Sequence, residues 1–202
     1  MYFIPKVLRK IWGMPAIKNV KREEHTKTDV YSVIVDSRIG RCSYIGEHTS
    51  VLHTEIGRFC SISNYCAIGG GSHTMDWVSS SPVFNSSNSI LHFRYADNKF
   101  EPFQPTIIGN DVWIGSHCLI KGGIKIGDGA VIGMGSVVTK DIGSYEVWAG
   151  NPARFIRKRF DDDTIEKIKA TKWWDWDEDK LIQNGKHFNN PVEFIHNMEE
   201  KP

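Results

Sequence analysis

The sequence is short of cysteine, of net charge and of long apolar runs. Its 202 residues hold only 4 cysteines, too few for a disulfide scaffold, and 25 Lys and Arg against 24 Asp and Glu leave a net charge of +1. So small a charge gives no reason to expect nucleic acid as a partner. No apolar segment approaches the roughly 18 residues of a membrane span, and Lys6, Arg9 and Lys10 interrupt the apolar N-terminus. These absences predict a cytoplasmic globular protein with reduced thiols.

What the sequence does contain is a six-residue repeat. A branched aliphatic residue recurs at every sixth position, mostly followed by glycine and preceded two places earlier by a small residue. A period of six fits neither a helix nor one long strand, but it fits short strands joined by corners, where we expect the glycines to adopt positive φ. The aliphatic positions form two blocks, Ile39, Ile45, Val51, Ile56, Ile62 and Ile68, then Ile108, Ile114, Ile120, Ile126, Ile132 and Val138.

Three such strands close one coil of 18 residues, and coils stack at roughly 4.8 Å. The repeat therefore predicts an all-β solenoid, a parallel β-helix of about four to five coils. The repeats resemble those of the left-handed β-helix, hexapeptide-repeat acyltransferases. The left-handed sense is implied by this resemblance, because the spacing alone does not contain it.

The chain divides into three predicted parts. Residues 1–30 form an N-terminal helix and lead-in, residues 31–158 the β-helix, and residues 159–202 a C-terminal helical extension. The N-terminal helix, with basic residues on one face, is expected to cover an end of the solenoid, and peripheral membrane contact is the alternative. Asp161 is placed to begin a helix, and Trp173, Trp174 and Trp176 are expected to pack the C-terminal helices together.

Residues 71–105 interrupt the repeat and are rich in aromatic side chains. An excursion this long in a compact domain is usually functional or disordered, and its composition is too aromatic for a disordered tether. The run Gly69-Gly70-Gly71 lets the backbone leave a solenoid corner and bring His73 to the outside.

The loop resembles that of the xenobiotic-acetyltransferase branch, which includes chloramphenicol and streptogramin acetyltransferases and many polysaccharide O-acetyltransferases. In that branch the loop reads roughly His-x-x-Asp/Glu-Trp-x-Ser-x-x-Pro-Phe, and its histidine is the catalytic base. This sequence matches the pattern at His73, Asp76, Trp77, Ser79 and Pro82, and Phe84 falls one place late.

The resemblance implies that His73 is the general base. An imidazole with a pKa of about 6.5 can take the acceptor's proton and return it to a departing thiolate. Asp76 either orients the imidazole or forms a turn. Trp77 is expected to contact the substrate.

The second block resembles the coenzyme A-binding coils of sugar and maltose O-acetyltransferases. Carried over by position, Lys140 and Arg157 would meet the phosphates of acetyl-CoA as cations. Trp113 either lines the coenzyme site or packs against a neighbour. Ser116 and Met134 are 18 residues apart and should lie on adjacent coils. The positions expected to contact acetyl-CoA are Trp113, Ser116, Met134, Thr139, Lys140 and Arg157.

The sequence thus predicts an acetyl-CoA-dependent acetyltransferase that modifies a saccharide hydroxyl directly in a ternary complex. The resemblance implies a homotrimer with active sites between neighbours, and no metal is expected.

The alternative acceptors are a chloramphenicol- or streptogramin-type antibiotic, or the nitrogen of an amino sugar. A purely structural or nucleotide-sugar-binding solenoid also stays open. A more remote alternative is a zinc enzyme like the γ-class carbonic anhydrases, suggested by His48 and His53. Cys60, Cys66 and Cys118 are expected to be buried fillers.

Overall fold

The computed structural model describes residues 12–86 and 91–200, and its main body is a three-sided stack of short parallel strands. The predicted N-terminal helix falls largely on residues 1–11, outside the described residues.

The first face holds the N-terminal halves of β1 (Ala16–Arg22) and β3 (Val33–Ile39), then β5 (Ser50–Leu52), β8 (Ala67–Gly69), β11 (Leu119–Ile120) and β14 (Val137–Val138). The second face holds the C-terminal halves of β1 and β3, then β6 (Thr54–Ile56), β9 (Thr106–Ile108) and β12 (Lys125–Ile126). The third face holds β2 (Lys27–Thr28), β4 (Tyr44–Ile45), β7 (Ser61–Ile62), β10 (Trp113–Ile114), β13 (Val131–Ile132), β15 (Glu146–Ala149) and the antiparallel β16 (Arg154–Lys158).

The solenoid is longer than the predicted four to five coils. On the first face, Ala16, Val33, Ser50, Ala67, Leu119 and Val137 follow one another in register, which makes six rungs. The first rung begins at Ala16, ahead of residue 31, where the predicted β-helix begins. The six-residue repeat does not predict this rung, because β1 has the sequence AIKNVKR and lacks the regular isoleucines of the repeat. Instead, β1 packs Val20 against the core.

The aliphatic residues of the repeat form the core, as predicted. All twelve are at most 3% exposed. The expectation for the glycines that follow them was wrong. Apart from Gly69 at the loop exit, these glycines do not have positive φ, and the left-handed positions come two residues later, for example at His48 and His117. The glycines are needed because the rungs approach closely: a Cβ at Gly57 would lie 2.5 Å from the carbonyl oxygen of Gly109.

The C-terminal segment covers the third corner of the solenoid, which lies between the second and third faces and carries Phe59 and Tyr145. Asp161 accepts a hydrogen bond from the amide of Thr164 and begins the first helix, as predicted. Trp173, Trp174 and Trp176 are buried in a second hydrophobic cluster between this corner and the C-terminal helices, and the ring of Trp173 lies 4.8 Å from the ring of Phe59. In the described part of the chain, no helix has the length and apolarity to cross a bilayer. The helices of this segment are α1 (Asp162–Thr171), α2 (Glu178–Asn184) and α3 (Pro191–Glu200), with 3₁₀ turns at Trp173–Asp175 and Gly185–His187. Another 3₁₀ turn, Pro82–Phe84, lies in the loop that interrupts the repeat.

Candidate active site

His73 lies just beyond the point where the chain leaves the solenoid after β8. Gly69 and Gly70 have φ values of 75° and 106°, which non-glycine residues rarely adopt, so the glycine run serves as the predicted exit. Gly122 on the next rung permits this exit, because a Cβ there would lie 2.4 Å from the carbonyl oxygen of Gly70. We call this corner, between the first and second faces, the His73 corner.

The imidazole of His73 is held by the backbone of its own loop. Its Nδ1 lies 2.9 Å from the carbonyl oxygen of Ser80. A carbonyl oxygen only accepts hydrogen bonds, so Nδ1 carries the proton and Nε2 keeps a free lone pair. The buried hydroxyl of Thr74 donates to the carbonyl of Ser79 at 3.1 Å and closes the same turn. In the neutral form of the ring, this arrangement presents an Nε2 that can accept a proton.

The sequence left two roles open for Asp76, to orient the imidazole or to form a turn. Within the described residues, no hydrogen bond joins Asp76 to His73, and Asp76 is exposed. The turn itself supplies the acceptor, because it brings the Ser80 carbonyl to Nδ1. Trp77 is half-buried and packs edge-on against Phe100, with ring centroids 6.1 Å apart. Its contact with a substrate stays a prediction.

An open groove of about 610 Å³ lies in front of His73. Glycines form much of its floor, and the exposed side chain of Lys121 adds a positive charge. The lining residues are Gly70, Gly71, Ser72, His73, Met75, Pro102, Gln104, Lys121, Gly122 and Gly123.

Two of the predicted coenzyme residues share the His73 corner. The backbone amide of Lys121 donates to the carbonyl of Val138 on the next rung at 2.9 Å, so Thr139 and Lys140 follow Lys121 along this corner. Both Thr139 and Lys140 are exposed. Arg157 is also exposed, on β16, and donates to the carbonyl of Lys158 at 2.9 Å.

Ser116 and Met134 lie on a different corner, between the third and first faces, which we call the Ser116 corner. The amide of Gly135 donates to the carbonyl of Ser116 at 2.8 Å, so the two residues lie on adjacent rungs, as the 18-residue spacing predicted. The first face separates this corner from the His73 corner, and the six residues of strand and turn from Met134 to Thr139 span roughly 15 Å. One chain therefore does not bring Ser116 and Met134 to His73.

Trp113 lies on the third face, three residues before Ser116, and is 52% exposed. Its strand neighbours are Ser61 and Val131. Its predicted contact with the coenzyme stays a prediction.

The cysteines that occupy the small position of the repeat are buried. The thiol of Cys60 donates to the carbonyl of Gly109 at 3.0 Å, and burial raises the pKa of Cys60 to about 12. Such a thiol is a poor nucleophile. His48 and His53, which suggested the zinc alternative, lie at opposite ends of β5. Over residues 12–86 and 91–200, no group of three or more His, Cys, Asp or Glu side chains is placed to hold a metal ion.

Comparison with known proteins agrees with this architecture. Residues 105–140 match the family described as the hexapeptide repeat of succinyl-transferase. A chloramphenicol acetyltransferase from Agrobacterium fabrum is 46% identical over 129 residues, which are 62% of this chain and 61% of that protein. A probable macrolide acetyltransferase from Lysinibacillus sphaericus is 39% identical over 132 residues, 64% of this chain and 73% of that protein. The chain belongs to the hexapeptide-repeat acyltransferases.

A solved structure of this acyltransferase family supports the same conclusion. Galactoside acetyltransferase in complex with coenzyme A is 30% identical, with a TM-score of 0.51, over 78% of this chain and 71% of that one. The predicted fold, a left-handed parallel β-helix with C-terminal helices, is thereby confirmed, apart from the number of coils. The chain spans 61% of the length of the chloramphenicol acetyltransferase it matches.

Sequence reasoning missed two features of this candidate site. The first is the Ser80 carbonyl, which leaves no trace in the sequence because every residue has one. The second is Lys121. The sequence does contain a signal for Lys121. Lys121 and Thr139 replace the glycine found in neighbouring hexapeptides, and both lie on the His73 corner.

Proposed function

We propose that this protein is an acetyl-CoA-dependent O-acetyltransferase in which His73 is the general base. The observation that carries the proposal is the hydrogen bond between His73 Nδ1 and the Ser80 carbonyl, which makes Nε2 the proton-accepting nitrogen of the neutral ring at the groove. The named acetyltransferases among its relatives, and the coenzyme A in the galactoside acetyltransferase structure, support acetyl-CoA as the donor.

In the proposed reaction, His73 Nε2 takes the proton of an acceptor hydroxyl as that oxygen attacks the thioester carbonyl carbon. The C–S bond of the tetrahedral intermediate then breaks, and the imidazolium returns the proton to the thiolate. The products are the acetyl ester and free coenzyme A. No acyl-enzyme forms, which is consistent with the buried, hydrogen-bonded thiol of Cys60.

The cationic residues of the His73 corner would hold the coenzyme. Lys121 and Lys140 follow one another at this corner on successive rungs, so a diphosphate lying along it would meet both ammonium groups. Arg157 on β16 would extend the positive charge beyond the last rung.

We propose that the active form is a homotrimer, because Ser116 and Met134 reach His73 only if a second copy supplies them. The first face could form such an interface, since the outward residue that begins each of its six strands is uncharged and Lys18 is charged only on the outermost rung, whereas the second face presents charged side chains such as Arg38 and Glu55. The uncharged outward residues are Ala16, Val33, Ser50, Ala67, Leu119 and Val137.

We propose a saccharide hydroxyl as the acceptor. The relation to galactoside acetyltransferase favours it. A hydroxylated antibiotic of the chloramphenicol type is the second candidate, favoured by the 46% identity to a chloramphenicol acetyltransferase. A neutral amine on an amino sugar could use the same base.

The test is an acceptor screen with purified protein and acetyl-CoA, in which free thiol and a mass gain of one acetyl group are both measured. Saccharides, amino sugars and chloramphenicol form the panel. We expect His73→Ala to lower kcat by about a thousandfold while the protein stays folded. His25→Ala, an exposed change beside the third corner, is the matched control and should leave kcat unchanged. Near-normal turnover in folded His73→Ala would remove His73 as the base, and acetylation of chloramphenicol alone would overturn the saccharide assignment.

A further inference from the structure

An external stack of aromatic rings runs down the Ser116 corner. Tyr31, His48, Tyr65 and His117 stack one above another, with centroid distances of 4.7, 4.9 and 5.0 Å and interplanar angles of 18°, 4° and 3°. All four residues have positive φ, between 55° and 59° for the first three and 61° for His117. Each ring therefore occupies the same position of the corner on successive rungs.

The stack ends at His117 because the next rung has glycine at that position. Gly135 has φ 70°, and an added Cβ would meet no described atom within 4 Å. On the rung after that, Gly150 also has positive φ, and its Cβ would approach only the carbonyl oxygen of Pro152, at 3.7 Å. One face of the His117 ring is thus left open, because the next two positions in line with the stack are glycines.

The residues beside this opening show what kind of group it can take. Ser116 directly precedes His117, and Met134, which is 81% exposed, directly precedes Gly135. Both are uncharged, so the opening does not suit a phosphate, which needs cations. A flat, uncharged group would continue the stack at the spacing of the rings above it.

We propose that the open face of His117 stacks on a planar amide of the pantetheine arm of acetyl-CoA. This inference rests on the proposed function, and it adds His117 as a positioning residue for the coenzyme. The pantetheine arm has two planar, uncharged amide groups, and the imidazole face would fix how far along the corner the arm lies. Gly135 leaves the space that the amide fills.

The experiment measures dissociation constants of acetyl-CoA and of adenosine 3′,5′-bisphosphate, which has the nucleotide but lacks the arm. We expect His117→Ala to weaken acetyl-CoA binding by about five- to tenfold, and His117→Phe, which keeps a flat ring, by less than about twofold. Asparagine tolerates positive φ, but its side chain would fill the opening. Gly135→Asn should therefore weaken acetyl-CoA binding by at least about tenfold. None of the three should change binding of the bisphosphate.

His48→Ala is the matched control, since it removes a ring of the same stack away from the opening and should leave acetyl-CoA binding unchanged. Thermal melting checks that every variant is folded. The inference is overturned if His117→Ala binds acetyl-CoA like the wild type, if His117→Phe loses as much affinity as His117→Ala, or if bisphosphate binding falls equally. If the wild type binds neither compound, the proposed function itself fails. If the wild type turns over and the variants are unaffected, only the role of His117 fails.

Discussion

His73 Nδ1 donates a hydrogen bond to the main-chain carbonyl of Ser80, seven residues further along the chain, over 2.9 Å. A backbone acceptor fixes both the tautomer and the orientation of the imidazole without a carboxylate partner. The geometry of the proposed base then depends on the shape of the turn between the two residues, and substitutions can test this directly.

Ser80→Ala should leave kcat and KM within about twofold of the wild type. The contact uses the main-chain oxygen of Ser80, which alanine keeps, so the side chain contributes little. Steady-state kinetics with acetyl-CoA and the best acceptor measure this. A loss of tenfold or more would mean that the hydroxyl, not the carbonyl, matters.

Thr74→Val should lower kcat by about tenfold with little change in KM for acetyl-CoA. The Thr74 hydroxyl donates to the Ser79 carbonyl at 3.1 Å in a buried position, and valine has the same shape but no donor. The turn that carries the Ser80 carbonyl would then shift, and small misplacements of a base are costly. The same kinetic assay serves as the measurement, with Ser80→Ala as the control. Unchanged kcat would show that the turn is held without this hydrogen bond.

Gly122→Ala should destabilise the solenoid at the loop exit and reduce activity. The added Cβ would lie 2.4 Å from the carbonyl oxygen of Gly70, so two stacked rungs would have to separate. Gly185→Ala is the control, because its Cβ meets no described atom within 4 Å. Urea denaturation of both variants is the measurement, and equal midpoints would contradict the close approach of the rungs.

Glu23 should make stability depend on pH in the acid range. The hydrogen bond from Arg58, at 2.9 Å, lowers the pKa of Glu23 from 4.5 to about 2, although burial opposes the shift. A carboxylate with a depressed pKa contributes stability above the unfolded value of 4.5, and this contribution is lost as the pH falls towards 2.

Glu23→Gln should therefore be less stable than the wild type at about pH 7, and the difference should shrink as the pH falls below about 4.5. Urea denaturation at several pH values measures this. The exposed neighbour supplies the control variant, Glu24→Gln, which should track the wild type throughout. A difference that stays constant down to about pH 2 would contradict the assignment.

Tyr145→Phe should not destabilise the protein and should raise its stability by up to about 1 kcal/mol. Tyr145 is 1% exposed, and its hydroxyl has no hydrogen-bond partner in the described part of the chain. The ring itself packs on Gly129, so Tyr145→Ala should cost about 3 kcal/mol or more. Chemical denaturation compares the two variants, and a clear loss in Tyr145→Phe would show that the hydroxyl is bonded.

The repeat was enough to predict the core and the stacking, because each isoleucine of the period is buried by the same geometry on every rung. It was not enough for the first rung, where β1 is built on polar residues and held by backbone pairing with β3. The role of the glycines was also misjudged. The distance between rungs, which excludes a Cβ at Gly57, follows from how the strands stack and not from the local turn.

The amino-acid sequence by itself determined that the chain forms a stack of hexapeptide strands, with a histidine at the point where the chain leaves the stack, because the periodicity and the glycine run are local. Only the tertiary structure decided which residues meet. Lys121, Thr139 and Lys140 share a corner with His73, while Ser116 and Met134 lie on another, because a corner is defined by register across rungs. Folding also decides the hydrogen-bond partner of the imidazole. Every residue has a main-chain carbonyl, and only the folded turn brings that of Ser80 to Nδ1 of His73.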